Sequence, residues 1–307
     1  MNQQINFKNE KSFRLINMYE RLNKGEVLYK KELAQLFCVS EKTLSRDISD
    51  LRTYYSNINN YSDNIIVYDK KINGYYLYKK ENEWLTNQEI LAISKILLES
   101  RAFNKKEISI LINKLLLQAT IKDSKEIIEI IRKELYYYVP LQHNKDLFSL
   151  LWNITLYINK KEYINISYTR KDGVKREHTI KPVALMFSEF YFYVIAYMAD
   201  ETKEDPTVFR VDRINNIYGT NEHFSTPYSK EFNDGEFRKR VQFMFTGKLK
   251  KVKFEFYGDS VEFILDKLPT AEILSQKDGV YTISAESYGN GIDMWLRSQG
   301  DIVKAII

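Results

Sequence analysis

The spacing of apolar residues changes near Tyr163. Over residues 84–160 they recur every three or four residues, the period of an amphipathic helix. From Tyr163 they alternate, the period of a strand with one buried face. Such a chain is neither all helix nor all sheet, and it lacks the regular strand–helix alternation of a parallel α/β fold. With 307 residues it has room for two or three cores, so the expectation is an α+β multidomain protein, helical first and sheet-rich later.

Residues 1–80 read as three helices and a hairpin. Phe13, Leu15, Ile16, Tyr19 and Leu22 mark the core face of a first helix that ends near Gly25, and Leu33, Leu36 and Phe37 mark that of a second beginning around Tyr29. Ser40 is a good N-cap for a third helix, EKTLSRDISDLRTYY, and Cys38, in the turn before it, sits where a small buried apolar residue is expected. Two strand-like runs follow, NIIVYD and GYYLYKK, with Asn73-Gly74 between them supplying the positive φ of a tight turn.

Residues 81–160 keep the helical period and lack the Pro, Gly and Ser of a flexible linker, so they read as a helical connector. Thr86 with Glu89, Asn104 with Glu107 and Asp123 with Glu126 each have the spacing of a capping box, and a last helix is expected over 146–159. Residues 161–227 contain consecutive short strands, a small antiparallel sheet or barrel. Residues 228–307 run strand, helix, strand, strand, helix, strand, the order of a ferredoxin-like split unit.

The formal charge of +5 is confined to one end. Residues 1–80 hold 14 Lys and Arg against 9 Asp and Glu, and the remaining residues balance, 32 against 32. One basic module on a neutral body is what a chain needs when a single part meets a polyanion. In the third helix Leu44, Ile48 and Leu51 form one inward stripe, which turns Lys42, Arg46, Ser49 and Thr53 outward with Thr43 and Ser45 on the flanks. Helix, tight turn and helix in a basic segment is the arrangement that places such a face in a DNA major groove, where Arg46 can fork onto guanine and Ser40, Ser45 or Ser49 can meet bases or phosphates. Lys70 and Lys71 in the hairpin turn and Lys30 and Lys31 opening the second helix are further candidates for phosphate contact. Any solvated helix also has a polar outer face. Asp47 and Asp50 read as partners of Arg46 or Arg52, or as solvated.

The stretch KKELAQLFCVSEKTLSRDISDLR followed by INGYYLYKK resembles a DeoR-type winged helix-turn-helix. Downstream, INISYTRKDG, REHTIKPVAL, FYFYVIAY and FRVDRI resemble a WYL domain, and the last ~80 residues resemble the extension that often follows one. The resemblance implies a transcription regulator whose middle domain, an SH3/Sm-like β-barrel, senses a nucleotide or a single-stranded nucleic-acid fragment. The family motif falls on Phe192, Tyr193 and Val194, of which Tyr193 matches by identity. Arg210, Asp212 and Arg213 match the second motif, Thr207 stands where arginine is common, and His178 occupies an often basic position. Arg210 and Arg213 suit bidentate phosphate contacts, while Tyr168 and Tyr193 suit stacking or hydrogen bonding to a base. The two arginines share a pocket only if the strand ends or bulges near Asp212, and the plainer reading pairs Arg213 with Asp212 or another acid as a clamp.

Catalysis finds little support. His143, His178 and His223 lack metal-ligand spacing, no phosphate-cradling glycine loop occurs, and a single cysteine excludes internal disulfides, so neither cofactor nor metal is expected. The longest apolar stretch, residues 184–199, is shorter than the roughly 20 residues a spanning helix needs, and the N-terminus carries no apolar signal core. The expectation is a cytoplasmic homodimer with no membrane partner on a double-stranded operator, because one recognition helix reads few bases. Two alternatives stay open: a nucleic-acid-binding accessory factor, and a ligand-free interaction scaffold.

Overall fold

A computed structural model of the chain describes residues 10–23, 25–59, 66–78, 85–119, 121–200, 203–227 and 231–306. They form two compact units, Met1–Glu99 with Lys105–Val139, and Ser100–Asn104 with Pro140–Ile307.

The first unit begins with helices α1 (Lys11–Asn23), α2 (Lys30–Phe37) and α3 (Glu41–Asn59) and the antiparallel strands β1 (Ile66–Asp69) and β2 (Gly74–Leu77). Met18, Leu22, Leu28, Leu33, Phe37, Leu44, Ile48, Leu51 and Ile66 close a single core. The inward face of α1 keeps Leu15, Tyr19 and Leu22 of the expected one and differs in the rest. Phe13 and Ile16 are exposed, and the buried positions are Arg14, Met18 and Leu22, a stripe with one charged member. Arg14 is accommodated by Asp47 of α3, whose carboxylate accepts from Nε at 2.8 Å with both side chains almost fully buried. Asp47 thus pairs with Arg14, and the exposed Asp50 with Lys11 at 2.7 Å, where the sequence pointed to Arg46, Arg52 or solvent. Cys38 also departs from expectation: it is exposed and left-handed (φ 53°), closing α2 through its backbone N–H.

Ser40 caps α3 as expected, its Oγ accepting from the Thr43 N–H at 3.1 Å. In the hairpin turn it is Asn73 that takes the positive φ, 52°. Gly74 serves a different need, since a Cβ there would stand 2.3 Å from Val27 Cγ1. Asn64 and Ile65 of the first run, Lys79 and Lys80 of the second, and the boundary at residue 80 lie outside the described residues. Helices α4 (Asn87–Ser100), α5 (Lys105–Leu116) and α6 (Ile121–Tyr136) follow. Thr86 and Glu89 form the reciprocal cap at the start of α4. Asp123 does not cap, because α6 begins two residues earlier and places it in the first turn.

In the second unit α7 (Phe148–Lys160) leads into five antiparallel strands: β3 (Glu162–Thr169), β4 (Lys175–Ser188), β5 (Tyr191–Met198), β6 (Thr207–Arg210) and β7 (Ile214–His223), in the order β6-β5-β4-β3-β7. Alternate residues Ile164, Ile166 and Tyr168 of β3 and Val194 and Ala196 of β5 bury one face against Leu147 and Ile154 of the α7 region. A helix α8 (Asp234–Arg240) covers a second cluster, in which Phe237 and Met244 meet Ala184, Met186 and Ile195. The chain ends in β8 (Leu249–Phe256), α9 (Glu262–Lys267), β9 (Glu272–Lys277), β10 (Val280–Tyr288), α10 (Gly291–Ser298) and β11 (Val303–Ile306), with antiparallel order β11-β8-β10-β9. Among the described residues no helix is long and apolar enough to cross a membrane.

Candidate functional sites

The outer face of α3 is the first candidate. Leu44, Ile48 and Leu51 are buried, which leaves Lys42, Ser45, Arg46, Ser49 and Thr53 exposed and Thr43 half-buried. Several hydroxyls are already engaged: Ser45 Oγ donates to the Glu41 carbonyl, Thr53 Oγ1 to that of Ser49, and Ser40 Oγ lies 2.9 Å from the Thr43 hydroxyl. Lys70 and Lys71 are exposed in the β1–β2 turn, which is fastened by Asp69 accepting from the Lys71 N–H at 2.7 Å. Lys31 is exposed at the start of α2, and Lys30 lies half-buried with its ammonium 5.7 Å from the Tyr75 ring. One contact escaped the sequence reading. Arg52 of α3 donates from Nε and Nη2 to the Ile66 carbonyl at 2.9 and 2.7 Å, tying the hairpin to the helix. Arg and Ile fourteen residues apart carry no local signal of that contact.

The second candidate lies at the junction of β5 and β6. Strand β6 ends at Arg210, and residues Val211–Arg213 form a 3-10 turn before β7, the break that lets both arginines approach one place. The clamp involves the other arginine, however. Arg210 grips Asp212 with two bonds, Nε to Oδ1 at 3.0 Å and Nη2 to Oδ2 at 2.7 Å, and its guanidinium lies 3.4 Å from the centre of the Tyr191 ring. Burial opposes the charge of Arg210, yet the hydrogen bonds and charge of Asp212 outweigh it and raise its pKa. Tyr193 faces Arg210 across the strand pair, and burial pushes its phenol up while Arg210 pulls it down. Arg213 is half-buried and close enough to act electrostatically on Tyr193.

Tyr168 and His178 fall on the other side of β6. Both pack on Phe209, with ring centres 5.1 and 5.7 Å away, and the Tyr168 hydroxyl accepts from the Arg210 backbone N–H at 3.3 Å. Burial, then the nearby Arg176, lowers the pKa of His178 below its ordinary 6.5. The structure therefore brings Tyr193 and Arg210 together, leaves Arg213 half-buried in the turn next to Asp212, and sets Tyr168 and His178 apart as core-facing neighbours. Tyr191 was missed, although the period of two puts it on the same face as Tyr193. Among the described residues no group of three or more His, Cys, Asp or Glu is placed to hold a metal ion.

The arginine cluster coincides with a recognised domain. Residues 150–218 match the family model of the WYL domain. All five residues read as effector contacts fall within this WYL domain. None of the curated proteins matches the chain. Among solved structures it is similar to the proteasome accessory factor B/C (PafBC) of Arthrobacter aurescens, at 16% identity and a TM-score of 0.31, over 97% of this chain and 46% of that one. It is also similar to a CRISPR Cas-related protein, at 12% identity and a TM-score of 0.35, over 74% of this chain and 70% of that one. This chain thus spans about half the length of the PafBC chain.

Proposed function

We propose that the protein is a sequence-specific DNA-binding transcription regulator, not an enzyme, that works in the cytoplasm as a homodimer on a double-stranded operator. In this reading α1–α3 with β1 and β2 is a winged helix-turn-helix of the DeoR type, α3 is the recognition helix and the β1–β2 turn is the wing. The WYL domain is an SH3/Sm-like barrel, which its strand order and 3-10 turn support, and the order β11-β8-β10-β9 supports a ferredoxin-like extension. A nucleotide or single-stranded nucleic-acid fragment acts as effector at Tyr193, Arg210 and Arg213.

The observation that carries the DNA reading is the outer face of α3. Arg46, Lys42 and Ser49 are exposed side by side on a helix whose opposite face is locked into the core and whose flank carries the hairpin. DNA-affinity sequencing of the purified protein tests it, with enrichment of one two-fold symmetric site expected. Arg46→Ala is expected to lose about 1–3 kcal/mol of specific binding if the guanidinium reads a guanine. Equal affinity for all DNA, or full operator binding by the Arg46→Ala protein, overturns the assignment. On the effector side, Arg210→Ala is expected to leave basal DNA binding intact and abolish the effector response.

A further inference from the structure

A cleft of about 850 Å³ opens on the second unit at the opposite end of β5 from the arginine cluster. Tyr197, in its wall, lies four residues beyond Tyr193, a span of roughly 13 Å at strand rise. A small molecule seated in the cleft therefore does not reach Arg210. The volume is within the range of pockets that enclose small organic ligands, roughly 300–1,000 Å³.

Its lining is divided by chemistry. The apolar part comes from Ile158, Val183, Met198, Phe224 and Phe232, with Val183 and Phe232 continuous with the core under α8. Three lysines, Lys161, Lys181 and Lys203, line the same cleft with two glutamates, Glu204 and Glu231. Lys181 pairs in register with Tyr197, and its ammonium lies 5.7 Å from the centre of the Tyr163 ring, which itself meets Phe224 edge-on at 5.4 Å. Lys161 and Glu231 form an ion pair of 2.8 Å, both side chains nearly half exposed, a contact that contributes little in water and yields readily to a competing anion.

We propose that this cleft is a second ligand site, taking a small amphipathic organic anion: one phosphate or carboxylate carried on an apolar ring. Aromatic and aliphatic walls reward burial of the ring, and the lysines reward the anionic group at its edge. Two carboxylates among the three lysines leave a net charge suited to a single anionic group, which sets the cleft apart from a channel for a nucleic-acid backbone. The proposal does not depend on the regulator reading, since the cleft shares no residue with α3 or with the arginine cluster.

Calorimetric titration of the full chain with 1-naphthyl phosphate, 1-naphthol and inorganic phosphate tests it. The expected result is a Kd of about 1 mM or tighter for 1-naphthyl phosphate, with both fragments at least about tenfold weaker. Lys203→Glu, an exposed position, and Lys181→Ala should each weaken the phosphate ester at least about tenfold, while Arg210→Ala leaves it unchanged. No binding of the ester at about 10 mM, equal binding of either fragment, wild-type affinity in the Lys203→Glu protein, or loss of binding in Arg210→Ala would each overturn the proposal. Failure of operator binding in the same preparations would bear on the regulator reading alone.

Discussion

Arg14 and Asp47 show what a single pair can demand of a small core. Each is nearly inaccessible to water, and each has its charge met by the other across 33 positions of sequence. Asp47→Ala takes the bidentate carboxylate away from a nearly buried guanidinium and is expected to cost up to about 3–5 kcal/mol. Replacing both, as Arg14→Met with Asp47→Leu, should cost far less, because the desolvation of both charges disappears with them. Urea unfolding of the three proteins checks this; an Asp47→Ala protein as stable as the wild type would mean the pair is not buried in solution. The pair was illegible in the sequence because nothing local links positions 33 apart, while Arg46 and Arg52 lie close to Asp47 in the chain. His178 offers a pH test at the same scale. Its lowered pKa means that the unfolded chain takes up a proton first on acidification, so stability is complete above the ordinary value of 6.5 and declines as pH falls towards the folded value. His178→Gln should flatten that decline, and an imidazole that titrates by NMR at or above 6.5 would contradict the burial on which the argument rests.

Between elements, Arg52 does for the hairpin what Asp47 does for α1. Its two donors end on one carbonyl of β1, and its guanidinium lies 5.8 Å from the Tyr75 ring of β2, so one side chain of α3 addresses both strands. Arg52→Ala removes a charge-assisted contact of about 1.5–3 kcal/mol and frees the hairpin from the helix. If the hairpin is a wing, operator affinity should fall, and the further loss from Lys71→Ala should be smaller in the Arg52→Ala background than in the wild type. Strictly additive losses would separate Lys71 from the hairpin's placement. Elements were the most legible level of this protein. Helix starts at Ser40 and Thr86 could be read because their capping bonds are local, three residues long. The start of α6 could not, because Asp123 has the same spacing to a glutamate whether it caps the helix or lies in its first turn. The arginine cluster was half legible. A strand end or bulge near Asp212 was the condition for it, yet which arginine Asp212 holds depends on the 3-10 turn, a geometry without a periodic signature.

Over the whole chain, the surplus of five positive charges belongs to residues 1–80, and the rest is balanced. Binding to a duplex releases counterions only where cations meet phosphates, so the salt dependence of affinity counts the contacts and locates them. If the protein is the proposed regulator, the logarithm of operator affinity should fall linearly with the logarithm of salt concentration, with a slope that shrinks by up to about 0.9 for each phosphate-contacting lysine removed. Lys70→Ala with Lys71→Ala is therefore expected to flatten the slope, and Lys251→Ala with Lys253→Ala, exposed lysines of β8, should leave it unchanged. The two double variants remove the same charge, so a uniform electrostatic attraction between the protein and DNA would change both slopes alike. Equal slopes in the two variants would mean that the basic head is an accident of composition, and would count against the DNA-binding reading proposed for it.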